Sequence, residues 1–223
     1  MIQKFSFDIS KEKIRKQFNI NFKQEFIKSF HISALQHAYV LTSESNELQL
    51  FKWGLIPYWA TEPDKVEHLV CAQAEGIASK DSFRMPIRQK RAIVFADSYY
   101  DYKRVNKKDQ FYRIQAKNQA VLAFAAIWDE WKSPAGKVYF SFSMITIPAY
   151  NELKEQGWNR IPLVFTEEEQ IRDWIDKESS LENVLAMFDS NETILHAYPV
   201  SNELLNSGKD SPELHNEIQL DKY

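Results

Sequence analysis

The sequence predicts an α+β fold built as one domain, and three observations point there. Segments rich in β-branched and aromatic residues fill the first two thirds of the chain, while the two clearest helical signatures come late and do not alternate regularly with strands. No repeat, low-complexity tract or Pro/Gly/Ser-rich linker divides residues 1–223. A chain of that length can bury a full core without staples.

Taken in order, Ser10 before Lys11–Phe18 reads as a capped short helix, with Ile14 and Phe18 four apart on one face. Residues 33–42, 47–53, 91–96, 110–116, 121–128, 138–147 and 193–198 read as strands. The clearest is Val138–Met144, where Val138, Phe140, Phe142 and Met144 share a face by the two-residue period of a strand. Two helices follow, each announced by a capping box: Thr166 with Glu169 ahead of Ile171–Ile175, and Ser179 with Glu182 ahead of Val184–Phe188.

Composition excludes several function classes. No apolar run approaches the roughly 18 to 20 residues that span a bilayer, and Met1-Ile2-Gln3-Lys4 opens no basic-then-apolar leader, so a cytoplasmic protein with no membrane partner is expected. A single cysteine, Cys71, leaves no internal disulfide and no CxxC site. Only 5 glycines are present, against 6 Trp, 10 Tyr and 15 Phe, and neither GxGxxG nor a P-loop occurs, so nucleotide-dependent chemistry is not expected. The five histidines show no HxH or HExxH spacing, so no metal is expected, and no cofactor.

Net charge is only −3, but residues 80–117 carry eleven Lys or Arg against four acids, whereas residues 150–223 carry six against sixteen. The basic stretch is interleaved with Phe83, Phe95, Tyr99, Tyr100, Tyr102, Phe111 and Tyr112. Cations that track phosphates and rings that stack on bases are the ingredients of single-strand nucleic-acid binding. The same rings suit a core equally well, and both charge runs suit solvated faces.

Candidates for chemistry are sparse. Asp129 and Glu130 are adjacent, so on a strand they point to opposite faces and make no acid/base pair; a solvated strand end is the better reading. Cys71, in Leu69-Val70-Cys71-Ala72, reads as a small buried hydrophobe more readily than as a nucleophile. Asp101, among Tyr99, Tyr100 and Tyr102, is either a carboxylate with a raised pKa or a hydrogen-bonded structural one.

Several segments, read in order, resemble the SOS-response-associated peptidase (SRAP) family, whose members recognise abasic sites in single-stranded DNA. Met1-Ile2-Gln3-Lys4-Phe5-Ser6 is similar to its Met-Cys-Gly-Arg-Phe start, Trp53-Gly54-Leu55-Ile56-Pro57-Tyr58-Trp59-Ala60 to its Trp-Gly-Leu-Ile-Pro-x-Trp-Ala, and Cys71-Ala72-Gln73-Ala74-Glu75 to its Asn-Ala-Arg-Ala-Glu. Ser82-Phe83-Arg84 precedes Ala96-Asp97-Ser98-Tyr99-Tyr100-Asp101-Tyr102-Lys103, which resembles Ala-Asp-Gly-Phe-Tyr-Glu-Trp-Lys. Trp158-Asn159-Arg160-Ile161-Pro162-Leu163 stands where the family has His-Asp-Arg-Met-Pro-Val, and Tyr198-Pro199-Val200-Ser201 matches its closing Pro-Val-Ser. The resemblance implies a single SRAP-like domain with a β-rich, barrel-like core, peripheral helices and a DNA groove.

The resemblance also implies a reaction whose residues this chain has exchanged. In the family the initiator Met is removed, and the exposed Cys condenses its amine with the abasic aldehyde while its thiol closes a thiazolidine ring. Here that position is Ile2, the proton-transferring His is Trp158, the positioning Asn is Cys71, and the Glu is the shorter Asp101. Gln73 replaces the Arg of the Asn-Ala-Arg run, Tyr102 replaces a Trp, and Arg160 is retained. The resulting expectation is a divergent SRAP-like protein that binds single-stranded or abasic DNA in an SOS-type damage response through Trp53, Lys80, Arg84, Tyr102, Lys103, Arg104 and Arg160, without the thiazolidine cross-link. One rival is an altered hydrolase or lyase in which the Met1 amine forms a Schiff base and Asp101 moves protons. Another is a non-catalytic scaffold that engages a protein through the acidic last third.

Overall fold

Local signals set the elements, and long-range pairing sorts them into two sheets. In the computed structural model, which describes residues 2, 4–61, 63, 69–105, 107–189 and 193–220 with the Leu204 side chain set aside, the order begins β1 (Lys4–Phe7), α1 (Lys11–Phe18), β2 (Ser29–Ser33), β3 (His37–Thr42), β4 (Gln49–Trp53) and β5 (Cys71–Gln73). It continues through α2 (Pro86–Gln89), β6 (Arg91–Ala96), β7 (Ser98–Val105), β8 (Lys108–Ala116), β9 (Leu122–Lys132), β10 (Val138–Pro148) and α3 (Asn151–Glu155). Last come β11 (Arg160–Pro162), β12 (Val164–Phe165), α4 (Glu168–Ile175), α5 (Leu181–Ala186), β13 (Leu195–Pro199), α6 (Asn202–Asn206) and a 3-10 turn at Pro212–His215. This is the expected α+β class. Among the described residues no helix is long and apolar enough to cross a membrane.

The Ser10 hydroxyl accepts the Lys13 amide at 3.2 Å and caps α1, whose Ile14 and Phe18 are buried; Asn19, at φ 54°, ends it in the left-handed conformation. The later helices start one residue past their expected caps. Glu167 with Gln170 forms the box of α4, Gln170 Oε1 accepting the amides of both Thr166 and Glu167, and Ser180 caps α5. The expected strand 33–42 is two strands of different sheets: Leu35, at φ 72°, turns the chain between β2 and β3, its amide donating to the Trp53 carbonyl. Neither Gly nor Pro marks that turn.

Five strands close into a barrel in the cyclic order β3, β4, β10, β9, β6, with β4 and β10 parallel and every other pair antiparallel. Strand β9, paired with β6 and β10 in the barrel wall, is buried without alternation from Leu122 to Asp129, so both of its faces are covered. Asp129 is therefore no solvated strand end: it accepts the Tyr58 amide at 3.0 Å and Lys90 Nζ at 2.8 Å, while Glu130 faces water. Charge compensation is what permits a carboxylate there.

A second sheet, ordered β13, β8, β7, β1, β2, lies against the barrel, with Phe5 edge-on to Trp53 at 5.3 Å and Tyr99 edge-on to Phe124 at 6.0 Å. Successive residues of β7 face opposite ways. Tyr99 packs toward the barrel, and Tyr100 packs outward into a second cluster with Tyr198, Val200, Leu205 and Leu214. Asp101 and Lys103 share the Tyr99 face.

Candidate functional site

Strand pairing brings distant segments to one end of β7. In the antiparallel register of β1 with β7, Lys4 lies opposite Tyr100, which directs the start of the chain toward Asp101. Ile2 is buried there, and its carbonyl lies 3.7 Å from Cys71 Sγ. Cys71 opens β5, opposite Met144 of β10. Met1, the other expected reacting group, lies outside the described residues.

Asp101 is buried, with Oδ1 accepting the Tyr102 amide at 2.8 Å, and lies opposite Tyr112 of β8. Beyond it opens a groove of about 510 Å³, lined by Asp101, Tyr102, Lys103 and Arg104 on one side and Gly157, Trp158, Asn159 and Arg160 on the other. Gly157, at φ 87°, turns the chain out of α3 in a conformation that suits glycine, and the Trp158 amide then closes on the Leu153 carbonyl. Trp158 is buried, edge-on to Tyr112 at 5.7 Å, and its Nε1 has no hydrogen-bond partner. Lys103 Nζ lies 4.6 Å from the Tyr112 ring and 4.7 Å from the Trp158 ring, and donates to the Gln156 carbonyl at 3.0 Å. Partial burial holds that amine below the ordinary lysine range.

A second hollow of about 420 Å³ is lined by Cys71, Gln73, Lys80 and Phe83 among others. Burial pushes the Cys71 thiol up to about 12; the Asp101 carboxylate adds to that shift and the Arg160 guanidinium opposes it. A thiol so placed stays protonated near neutrality and is a poor nucleophile. Arg160 binds Glu75 through two parallel hydrogen bonds of 2.9 and 2.8 Å and donates to Thr146 Oγ1 at 3.2 Å. The Arg160 hydrogen bonds hold the Glu75 carboxyl below its usual range. Asp101, Tyr102, Lys103, Arg104, Trp158 and Arg160 thus share one groove, while Cys71, Gln73 and Lys80 line the neighbouring hollow and Ile2 lies against Cys71.

Two expectations are corrected. Trp53 is fully buried, stacked on Phe142 at 6.3 Å with its Nε1 bonded to the Val70 carbonyl, so it belongs to the core and presents nothing to a ligand. The basic run is not one face: Arg91 is buried and donates to carbonyls of Ile87, Arg88, Trp174 and Asp176, and Arg113 is buried against Asp97. Phe83, Phe95, Tyr99 and Tyr100 of the same stretch are core rings. Arg84 is exposed beside Asp81, their nearest atoms 3.5 Å apart, and Tyr102 is exposed with its ring edge-on to Phe111.

Sequence reasoning did not single out Tyr112 or Glu75 as parts of the site. The signal for Tyr112 is the hairpin register in which Val105 faces Lys108, since it sets Tyr112 opposite Asp101. Glu75 closes the Cys71–Glu75 motif, but nothing local marks its pairing with Arg160, which is 85 positions away.

The profile of the SOS response associated peptidase (SRAP) family matches residues 1–207. Abasic site processing protein YoqW of Bacillus subtilis (strain 168) is 33% identical over 212 residues, covering 90% of this chain and 92% of its own length. Abasic site processing protein YobE of the same organism is 31% identical over 224 residues, covering 96% and 98%. A crystal structure of a protein from Bacteroides thetaiotaomicron shares the fold, with TM-score 0.85 and 24% identity across 97% of this chain and 99% of that one. Since the match spans residues 1–207, which include both walls of the groove, the chain belongs to the SRAP family.

Proposed function

We propose that this protein binds single-stranded DNA at abasic sites, in a cytoplasmic response to DNA damage, without closing a thiazolidine ring. The observation that carries the reading is that the exchanged residues lie near one another: Asp101 and Trp158 line one groove, and Cys71, which lines the neighbouring hollow and lies 3.7 Å from the Ile2 carbonyl, is within electrostatic reach of Asp101. Ile2 brings no thiol, and Trp158 has no basic nitrogen to move a proton near neutral pH. Names of relatives such as YoqW and YobE support an abasic substrate. The binding surface retains Tyr102, Lys103, Arg104 and Arg160 along the groove, with Lys80 and Arg84 beyond it.

Two measurements on one abasic oligonucleotide test this. Incubation without reductant, followed by a denaturing gel, should show no heat-stable protein–DNA band; a persistent band ends the claim about the ring. Binding followed against salt should give a log–log slope of roughly −2 to −3.5, as expected for about three to five neutralised phosphates on a single strand. No binding at low salt would remove DNA as the partner.

A further inference from the structure

Lys103 is placed unlike the other cations of the groove. It shares the face of β7 with Asp101, two residues before it, and both line the 510 Å³ groove. Tyr112 and Trp158 hold its Nζ between two rings, and the Gln156 carbonyl takes a third side. A long, flexible side chain is thereby fixed at one point of the groove, in place of sweeping the solvent as a phosphate-tracking lysine does. Beside it, the Trp158 ring forms a buried wall, and its Nε1 has no hydrogen-bond partner within the protein.

We propose that Lys103 is the amine that captures the abasic-site aldehyde, forming a reversible imine at the groove wall. This rests on the abasic-DNA reading above. The ammonium first gives one proton to water or to the Asp101 carboxylate. The nitrogen lone pair then adds to C1′ of the ring-opened sugar, forming the N–C bond as the C=O π pair moves to oxygen, and a proton passes from nitrogen to that oxygen to give a carbinolamine. The hydroxyl takes back the proton first given up and leaves as water while the nitrogen lone pair forms the C=N bond of a protonated imine, and addition of water reverses the sequence. No oxidant or reductant is consumed. Partial burial lowers the cost of the neutral amine that this addition needs, and the two rings and the Gln156 carbonyl, which favour the ammonium, act against it. Without a thiol at position 2 the adduct has no ring to close into, so the hold on the lesion is covalent but transient.

The test uses the full chain and an abasic single-stranded oligonucleotide, with borohydride to reduce any imine to a secondary amine. A band should appear on a denaturing gel only with borohydride, and peptide mapping should place the sugar remnant on Lys103. Lys103→Arg keeps the positive charge but has no nucleophilic amine, so with the oligonucleotide at saturating concentration for each protein it should cut the trapped band by about tenfold or more. Mapping of the remnant to another residue, or trapping by Lys103→Arg equal to that of the parent, overturns the proposal. So does DNA binding without any trapped band, an outcome that leaves the binding reading intact. Failure to bind the oligonucleotide at all sinks the binding reading first and this proposal with it.

Discussion

Asp97 and Asp101 lie four positions apart, one just ahead of β7 and one within it, and their surroundings differ in kind. Asp97 accepts the Asp8 amide at 2.7 Å, Arg113 Nη2 at 2.7 Å and the Ser98 hydroxyl at 3.0 Å. Arg113 in turn holds the Ser98 and Tyr198 hydroxyls, and Tyr198 donates to the His215 carbonyl. Burial works to raise the Asp97 pKa, but the Asp8 amide and the Arg113 guanidinium outweigh it and the carboxyl sits below its ordinary value. Around Asp101 the pattern is different: a donor without a partner on Trp158, an amine held below its usual range, and a thiol pushed up to about 12. A network in which each charge is answered by a buried partner stabilises; a groove whose charged groups border open space can take a ligand. Ser6, 3.0 Å from His215 Nε2 and close to Asp97, looks at first like a nucleophile with its base, but it is fully buried and belongs to the first kind.

The largest effect that would break this comparison is on stability. Arg113→Met leaves Asp97 buried and uncompensated and should cost about 3 to 5 kcal/mol, read from denaturant midpoints. A loss under about 1 kcal/mol would mean that water reaches the network and that its contrast with the groove is false.

Next in size is Trp158→His. It removes a packed ring and one of the two rings beside Lys103, at a cost of about 3 kcal/mol. Combined with Ile2→Cys, Cys71→Asn and Asp101→Glu it should also raise the cross-linking rate on abasic DNA more than additively over Ile2→Cys alone, as the proposed common site requires. Both proteins must be folded and lack Met1 by mass spectrometry. Equal rates would mean that the four residues do not form a common site.

A smaller effect sharpens the other half of the comparison. His215 is drawn below its ordinary value of 6.5 by burial first and by Arg113 second, with the Asp97, Asp8 and Asp210 carboxylates opposing; His31 is likewise lowered, by burial and by Lys4. Neutral rings in the folded state mean that the unfolded chain binds more protons once pH drops through about 6.5. Stability is therefore full above that value and declines as pH falls toward the lowered folded values. Thermal melts at about pH 7.5 and about pH 5.5 should show the loss, and His215→Gln should shrink it. An unchanged difference in that variant would assign the titration elsewhere.

The smallest expected effect is on Glu75→Gln, whose partly exposed pair with Arg160 contributes about 1 kcal/mol or less to folding. Releasing Arg160 should tighten single-strand binding and steepen the salt slope by about 0.7, one phosphate's worth. A shallower slope would show that Glu75 holds Arg160 in its binding pose.

Much of the site was legible as residue types in order. The exchanges at Ile2, Cys71, Asp101 and Trp158 stand in the sequence beside recognisable neighbours, and α1 was readable from Ser10, Ile14 and Phe18 because caps and helical spacing act within a few residues. Strand β7 escaped notice because its residues alternate between two buried environments, Tyr99 toward the barrel and Tyr100 toward the outer cluster. The turn at Leu35 escaped because its amide is satisfied by Trp53, far along the chain.

By itself the sequence determined the α+β class and the family resemblance, both carried by composition, short-range spacing and residue identity. Only the tertiary structure decided which of two tryptophans lines the groove and which is core, that Arg113 is structural while Lys103 faces the site, and that the Cys71 thiol meets the Ile2 carbonyl. Burial and the pairing of charges depend on strand register between segments tens to hundreds of residues apart. No local pattern specifies that register, because the free energy that selects it comes from closing the barrel and packing the second sheet against it.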